Sequence, residues 1–243
     1  MKRFLLALAL LAAFARAETP KKTVELLNGK DLAAWELVAV PALSSSNGPA
    51  TPAEIATVCK YNADGSLAVA GKPVSFLATK ASYDNYRLHA EWRWPANAAK
   101  NSNGGVLLNI ASGPTNNTAW PVCFQMQLKL TRAGDLLPMN DAKFAEKLST
   151  APDAKTPQLD RAAADSEKPL GEWNACDIVC RGDTIEVTIN GVLQNKITQC
   201  VPAAGKVGFQ LEGTPYELRN IRLEPLKPAI DGSYQTSEPP KKL

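Results

Sequence analysis

The chain has 243 residues, with 27 basic side chains against 24 acidic ones and 45% hydrophobic residues. That is enough for one large domain or two small ones. No cluster of Lys and Arg is dense enough to track a phosphate backbone, which excludes a nucleic-acid partner as the expectation.

The first residues, MKRFLLALALLAAFARA, have the form of a signal peptide. Lys2 and Arg3 supply the positive start, residues 4–14 the apolar stretch, and Ala15, Arg16 and Ala17 a small-residue cleavage site. The apolar run is too short to span a bilayer, and no later run is longer. We therefore expect an exported protein, periplasmic or extracellular, without a transmembrane segment. Lys2, Arg3 and Arg16 leave with the leader, so basic and acidic residues balance in what remains.

The expected organisation is a signal peptide over 1–17, one domain over 18–226 and an irregular tail over 227–243. Thr23 to Trp35 reads as a short strand and a turn at Asn28-Gly29. Thr51, Pro52 and Glu54 read as a helix start, with Thr51 as N-cap and Pro52 at the first helical position. Residues 66–70 and 75–79 are short strands. Residues 85–94 form a strand whose faces differ, because side chains alternate with period two. Tyr86, Leu88, Ala90, Trp92 and Trp94 face a core, and Arg87, His89, Glu91 and Arg93 face away. Residues 105–110 follow, with Val106, Leu108 and Ile110 inward and Asn109 outward. Residues 122–130 alternate again, placing Gln125, Gln127 and Lys129 outward with Cys123.

Residues 131–170 contain few large apolar side chains. They read as a long loop with one or two helical turns at 141–148, packed over or beside the polar sheet face and serving ligand more than stability. Residues 174–181 and 184–190 form a hairpin, and Asn190-Gly191 signals a second one. In residues 206–212, Val207, Phe209 and Leu211 point in, and Gln210 and Glu212 point out. Residues 217–226 are the last strand. Many short strands with regular turn signals and little helix predict an all-β, two-sheet sandwich or a barrel.

The outward faces of 85–94, 105–110, 122–130 and 206–212 are expected to share one sheet surface. It would gather His89, Glu91, Arg93, Asn109, Gln125, Gln127, Lys129, Gln210 and Glu212. Amides, carboxylates and an arginine near tryptophan suit the hydroxyls of a sugar. Trp120, at a strand start, is placed to stack on a sugar ring, and Trp35, Trp92 and Trp173 are assigned to the core.

Cys59, Cys123, Cys176, Cys180 and Cys200 are odd in number, so they cannot all pair within the chain. Cys176 and Cys180 lie about 13 Å apart along one strand, at ~3.3 Å per residue, too far to bridge. Buried small side chains are the simpler reading of these thiols. No metal site is expected, since there is no CxxC pair and His89 is the sole histidine.

Six segments in order resemble the 3-keto-disaccharide hydrolase family: LLNGKDLAAWELV, TKASYDNYRLHAEWRW, NGGVLLN, AWPVCFQMQL, GEWNACDIVCRGDTIEVTINGV and GKVGFQLEGTPYELRNIRLEPL. The resemblance implies an antiparallel jelly roll of the concanavalin A type and a carbohydrate ligand, a glycoside oxidised at C3. It names no cofactor. Glu91, Arg93, Gln127, Gln210, Glu212, Arg219 and Asn220 stand where the family's motifs carry such groups. Two places depart: Gly104 and Asn109 replace a serine and an arginine, and Gln125 replaces a glutamate. Glutamine cannot serve as a general base, so Glu91 and Glu212 become the catalytic candidates. Arg93, Asn109, Trp120, Gln125, Gln127, Gln210 and His89 are the substrate-binding ones. The alternative is a lectin-like glycan-binding module without catalysis. Arg219 and Asn220 are read as stabilising a strand bend rather than touching substrate.

Overall fold

The computed structural model describes residues 16–40, 52–114, 120–151 and 153–227. The expected leader, Thr51 as N-cap, and the tail beyond Lys227 lie outside the described residues, except that 16–17 and 227 are described. Among the described residues, fourteen strands and one helix succeed each other: β1 (Val24–Glu25), β2 (Trp35–Ala39), α1 (Pro52–Val58), β3 (Cys59–Tyr61), β4 (Leu67–Val69), β5 (Ser75–Thr79), β6 (Tyr86–Arg93), β7 (Gly105–Ser112), β8 (Val122–Gln127), β9 (Leu136–Met139), β10 (Asn174–Arg181), β11 (Thr184–Ile189), β12 (Val192–Ile197), β13 (Lys206–Leu211) and β14 (Tyr216–Pro225). Among the same residues no helix is long and apolar enough to cross a membrane.

The strands form two antiparallel sheets. One runs β12-β11-β10-β6-β14-β4-β3, with β1 pairing β14. The other runs β2-β5-β13-β7-β8-β9. Period-two alternation explains the core between them. Tyr86, Leu88, Ala90 and Trp92 of β6 are buried while Arg87, His89, Glu91 and Arg93 are half-buried on the other side. They meet Val106, Leu108, Phe124, Met126, Phe209 and Leu211 from the second sheet. Burial of one such side chain stabilises by roughly 1.5–3 kcal/mol, so this alternation specifies which face of each strand turns inward. At the β11–β12 hairpin, Asn190 and Gly191 both take positive φ (48° and 83°), as a two-residue turn of this kind requires.

Four expectations change. First, β6 belongs to a different sheet from β7, β8 and β13, so the four polar faces form two surfaces on opposite sides of the sandwich. Alternation says which side of a strand faces a core, but in a sandwich both sheets face the same core, and pairing alone assigns a strand to one of them.

Second, Trp173 is not core; it is half-buried, with the guanidinium groups of Arg93 and Arg219 lying 4.5 and 4.1 Å from its ring. Third, residues 141–148 form no helix. Fourth, residues 131–170 are tied into the fold: they supply β9, and Asp135 and Leu136 are fully buried. Asn195 and Gln194 donate to the carbonyls of Gly134 and Ala164, at 2.8 and 3.0 Å. Polar anchoring of this kind leaves no hydrophobic periodicity to read.

All five cysteines are buried and free. Burial alone pushes the Cys59 thiol up to about 12, as expected for an inert core thiol.

Candidate functional site

The outer face of the six-stranded sheet carries a cleft of about 700 Å3. Strand register builds its floor. Phe209 of β13 pairs with Val106 of β7, which pairs with Met126 of β8, so Gln210, Gly105 and Gln127 make the neighbouring row. On the other side of that pair, Gly208, Leu107 and Gln125 form the next row. Gly105 matters because a Cβ there would come within 2.8 Å of Gln125 Cγ. The glycine thus leaves room for the Gln125 side chain to lie across the floor.

Gln125, Gln127 and Gln210 are 2%, 7% and 1% exposed. Gln125 Nε2 donates to Gln127 Oε1 at 3.0 Å. Gln210 Oε1 is buried with no hydrogen-bond partner among the described residues, and so is Asn103 Oδ1 at the cleft wall. A buried carbonyl oxygen without a donor costs about 1–3 kcal/mol. Neither acceptor is satisfied by a protein donor among the described residues.

Glu212 follows β13 directly and, among the described residues, is the only carboxylate lining this cleft. Asn103 Nδ2 donates to its Oε2 at 2.6 Å. Burial pushes its carboxyl above the ordinary range, and the Lys129 ammonium opposes that rise. A carboxyl raised this way is a stronger base than an ordinary exposed carboxylate once ionised. Lys129, Arg132 and Lys155 also line the cleft. Arg132 is held by Asp135 and Asp160, both at 2.7 Å, which leaves Lys129 as the cation nearest in role to Glu212.

Trp120 lines the opposite end, 6.4 Å from Phe76. Asn140 donates to the Pro121 carbonyl at 3.1 Å and helps fix the chain there. Lys155, Thr156, Pro157 and Gln158 close one side. Residues 131–170 thus do stand beside the polar sheet face.

Of the residues singled out in the sequence, the structure brings together Trp120, Gln125, Gln127, Lys129, Gln210 and Glu212. Asn109 is not with them. It sits in a bulge of β7 with φ 52°, is 1% exposed, and donates to the Pro202 carbonyl at 3.0 Å. The bulge breaks the alternation that placed it outward.

His89, Glu91 and Arg93 lie on the outer face of the other sheet. There Glu91 accepts from Arg219 Nε at 2.7 Å and Asn220 Nδ2 at 2.6 Å. Burial alone would raise its carboxyl, but the hydrogen bonds of Asn220 and Arg219 outweigh it and hold the group below the ordinary range. Arg219 and Asn220 flank a bulge in β14, and Asn220 has φ 52°. Arg93 pairs with Glu217 at 2.5 Å, and His89 Nδ1 lies 2.8 Å from Asp177. This ionic lattice ties β6, β10 and β14 together. Lys129, expected on the polar face, lines the cleft as well, and Asn103 completes it but carried no pattern that marked it as a site residue. Their loops reach the site only once the two strands that precede and follow them are paired.

The chain matches the model of the 3-keto-alpha-glucoside-1,2-lyase-like domain over residues 22–224. No curated protein sequence matches it. Two solved structures from Parabacteroides distasonis ATCC 8503, described as glycosyl hydrolases, are similar. One has a TM-score of 0.57 at 16% identity, over 85% of this chain and 94% of that one. The other has a TM-score of 0.53 at 19% identity, over 84% and 100%. The carbohydrate-binding module CBM66 from Bacillus subtilis gives 0.50 at 10% identity, over 68% and 90%. At these identities the likeness is one of fold, the two-sheet jelly roll. With the matched region spanning both sheets and the amide-floored cleft, the chain belongs to the 3-keto-alpha-glucoside-1,2-lyase-like domain family.

Proposed function

We propose that this is an exported enzyme that cleaves 3-keto-glycosides by elimination and hydration, using Glu212 as the proton-transfer group. The single observation that carries the reading is the half-buried Glu212 carboxyl, hydrogen-bonded by Asn103, at the edge of a floor of buried amides. A ketone at C3 acidifies the C2 hydrogen. Glu212 takes that proton, the electron pair forms the enolate, and the C1–O bond breaks with departure of the leaving group. Glu212 passes that proton to the leaving oxygen, and water then adds across the C1–C2 double bond, OH to C1 and H to C2, so the net change is hydrolysis. Ordinary glycoside hydrolysis needs two carboxyls about one anomeric carbon, whereas this route needs one base and stabilisation of one oxyanion. The amide N–H groups of the floor and Lys129 serve that oxyanion, and Trp120 offers an aromatic face to the ring. Glu91 and His89 act in this reading as struts of the opposite sheet.

The test is incubation of the protein with a 3-keto-glucoside, prepared by oxidation, and detection of released aglycone. Release by the parent and its loss in Glu212→Gln support the reading; equal release by both sinks it. One observation favours a second reading. Gln125 stands where the family resemblance places a glutamate, so a carbohydrate-binding protein without turnover would bind the same compounds and release nothing. Export is tested by cell fractionation, with the protein expected outside the cytoplasm.

A further inference from the structure

A second cavity, of about 380 Å3, shares no residue with the amide-floored cleft. It lies where the two sheets end: β2 is an edge strand of the six-stranded sheet, and β3 is an edge strand of the eight-stranded one. α1 packs against both strands, and the cavity opens between Trp35 of β2, Ile55 of α1, and Cys59 and Tyr61 of β3. Its walls are built. Ile55 and Val58 are buried and hold α1 on the core. Opposite α1, Asn28 Oδ1 accepts from the N–H groups of Lys30 and Asp31 at 2.8 and 2.9 Å, and Asp31 Oδ1 from that of Ala33 at 2.9 Å. Tyr61 Oη donates to the Asp31 carbonyl at 3.0 Å, and Trp35 Nε1 to the Leu26 carbonyl at 2.7 Å. These bonds fix residues 28–33 as one wall.

We propose that this cavity is a second ligand site and that it takes a small aromatic carboxylate, with the ring inside and the carboxylate at Lys30 and Lys80. The lining sets both halves of that ligand. Leu32, Trp35, Ile55 and Cys59 give apolar surface, and the Cys59 thiol stays protonated because burial pushes it up to about 12. Trp35 and Tyr61 are aromatic and suit a flat ring in edge-to-face or offset contact. At the rim the charged side chains are Lys30, Lys80 and Asp31, all exposed. Neither lysine is in a salt bridge among the described residues, and two ammonium groups against one carboxylate leave the rim positive. Such a rim favours an anion over a neutral compound of the same shape. Apolar walls with a few polar groups at the opening are the usual make-up of a small-molecule site. This site stands independently of the role assigned to Glu212.

The experiment measures, by calorimetry, binding of 2-naphthoate and of its uncharged amide, 2-naphthamide. The parent is expected to bind naphthoate about threefold more tightly than the amide, the scale of an exposed charge pair. The double variant Lys30→Met, Lys80→Met should abolish that preference while still binding both compounds. Ala33→Trp and Ala56→Trp place an indole in the cavity from exposed positions on its two walls, and each should weaken naphthoate about tenfold or more. Trp120→Ala should leave the affinity unchanged, because Trp120 lines the other cleft. The proposal is overturned if the parent binds neither compound or binds both equally. It is also overturned if both tryptophan variants bind as the parent does, or if Trp120→Ala abolishes binding. Should a tryptophan variant melt far below the parent, the comparison of parent with the double lysine variant decides alone, and a preference that survives loss of both lysines overturns the site.

Discussion

Replacing Glu212 with glutamine separates chemistry from architecture more cleanly than any other change in this protein. The substitution keeps shape, and its Oε1 still accepts the hydrogen bond that Asn103 Nδ2 gives at 2.6 Å. What it removes is the ability to take a proton. A positioned base contributes about 10²–10⁴-fold, which corresponds to about 2.7–5.4 kcal/mol of barrier. Stability should move the other way. The Glu212 carboxyl is raised by burial, so the folded state holds its proton more tightly than the unfolded state does. Its favourable contribution is complete below the unfolded value and is lost as pH rises through the folded one. Above that folded value the ionised, half-buried carboxylate is therefore a cost that glutamine lacks, and there the variant should melt at or slightly above the parent temperature. Parent turnover should rise with pH through the raised carboxyl, because the base form does the work, and the variant should lose that limb. The assay is aglycone release from a 3-keto-glucoside across pH 4–9 (roughly the span of carboxyl and neutral titrations), with melting followed in parallel. Full activity in the variant refutes the argument. So does a loss of activity matched by a fall in melting temperature, because the residue would then be structural.

Glu91→Ala should do the reverse, costing about 1.5–3 kcal/mol through the broken charge-assisted bonds with Arg219 and Asn220 while leaving kcat/KM of the remaining folded protein within about threefold. Urea titration and activity at matched folded fraction check this. Gly105→Ala should push the Gln125 side chain off the floor, since the new Cβ would lie 2.8 Å from Gln125 Cγ; ligand affinity should fall about tenfold with a stability change near 1 kcal/mol, read by calorimetry and thermal melting. Burial pushes Glu167 up to about 7, and its Oε1 has no partner among the described residues. Its contribution to stability is full below about 4.5, the ordinary value, and is lost as pH rises through about 7. Glu167→Gln should flatten the melting temperature profile over pH 5–8 (about two units around that value), and an unchanged profile would discard the assignment.

Much of this protein is legible in its sequence because one rule operates locally. Side chains of a strand alternate, and burial is worth more than any propensity, so Tyr86 to Trp92 and Phe124 to Leu128 announce their inward faces without any partner in view. The Asn190-Gly191 hairpin is equally local, since positive φ at both positions selects those residues. The placing of Gln125, Gln127, Gln210 and Glu212 on one surface follows from the same rule once β8 and β13 join one sheet. That joining is where the local rule stops. Which sheet a strand enters depends on backbone pairing with segments distant in the chain, and the pattern of β6 is equally good for either sheet. Only the tertiary structure sends His89, Glu91 and Arg93 to the opposite side of the sandwich. Only the tertiary structure turns Asn109 aside in a bulge, and only there do Asn103 and Lys129 arrive beside Glu212. Alternation is a property of one strand, but a site is a property of several, and the register between strands is written in long-range hydrogen bonds that no single stretch of sequence contains.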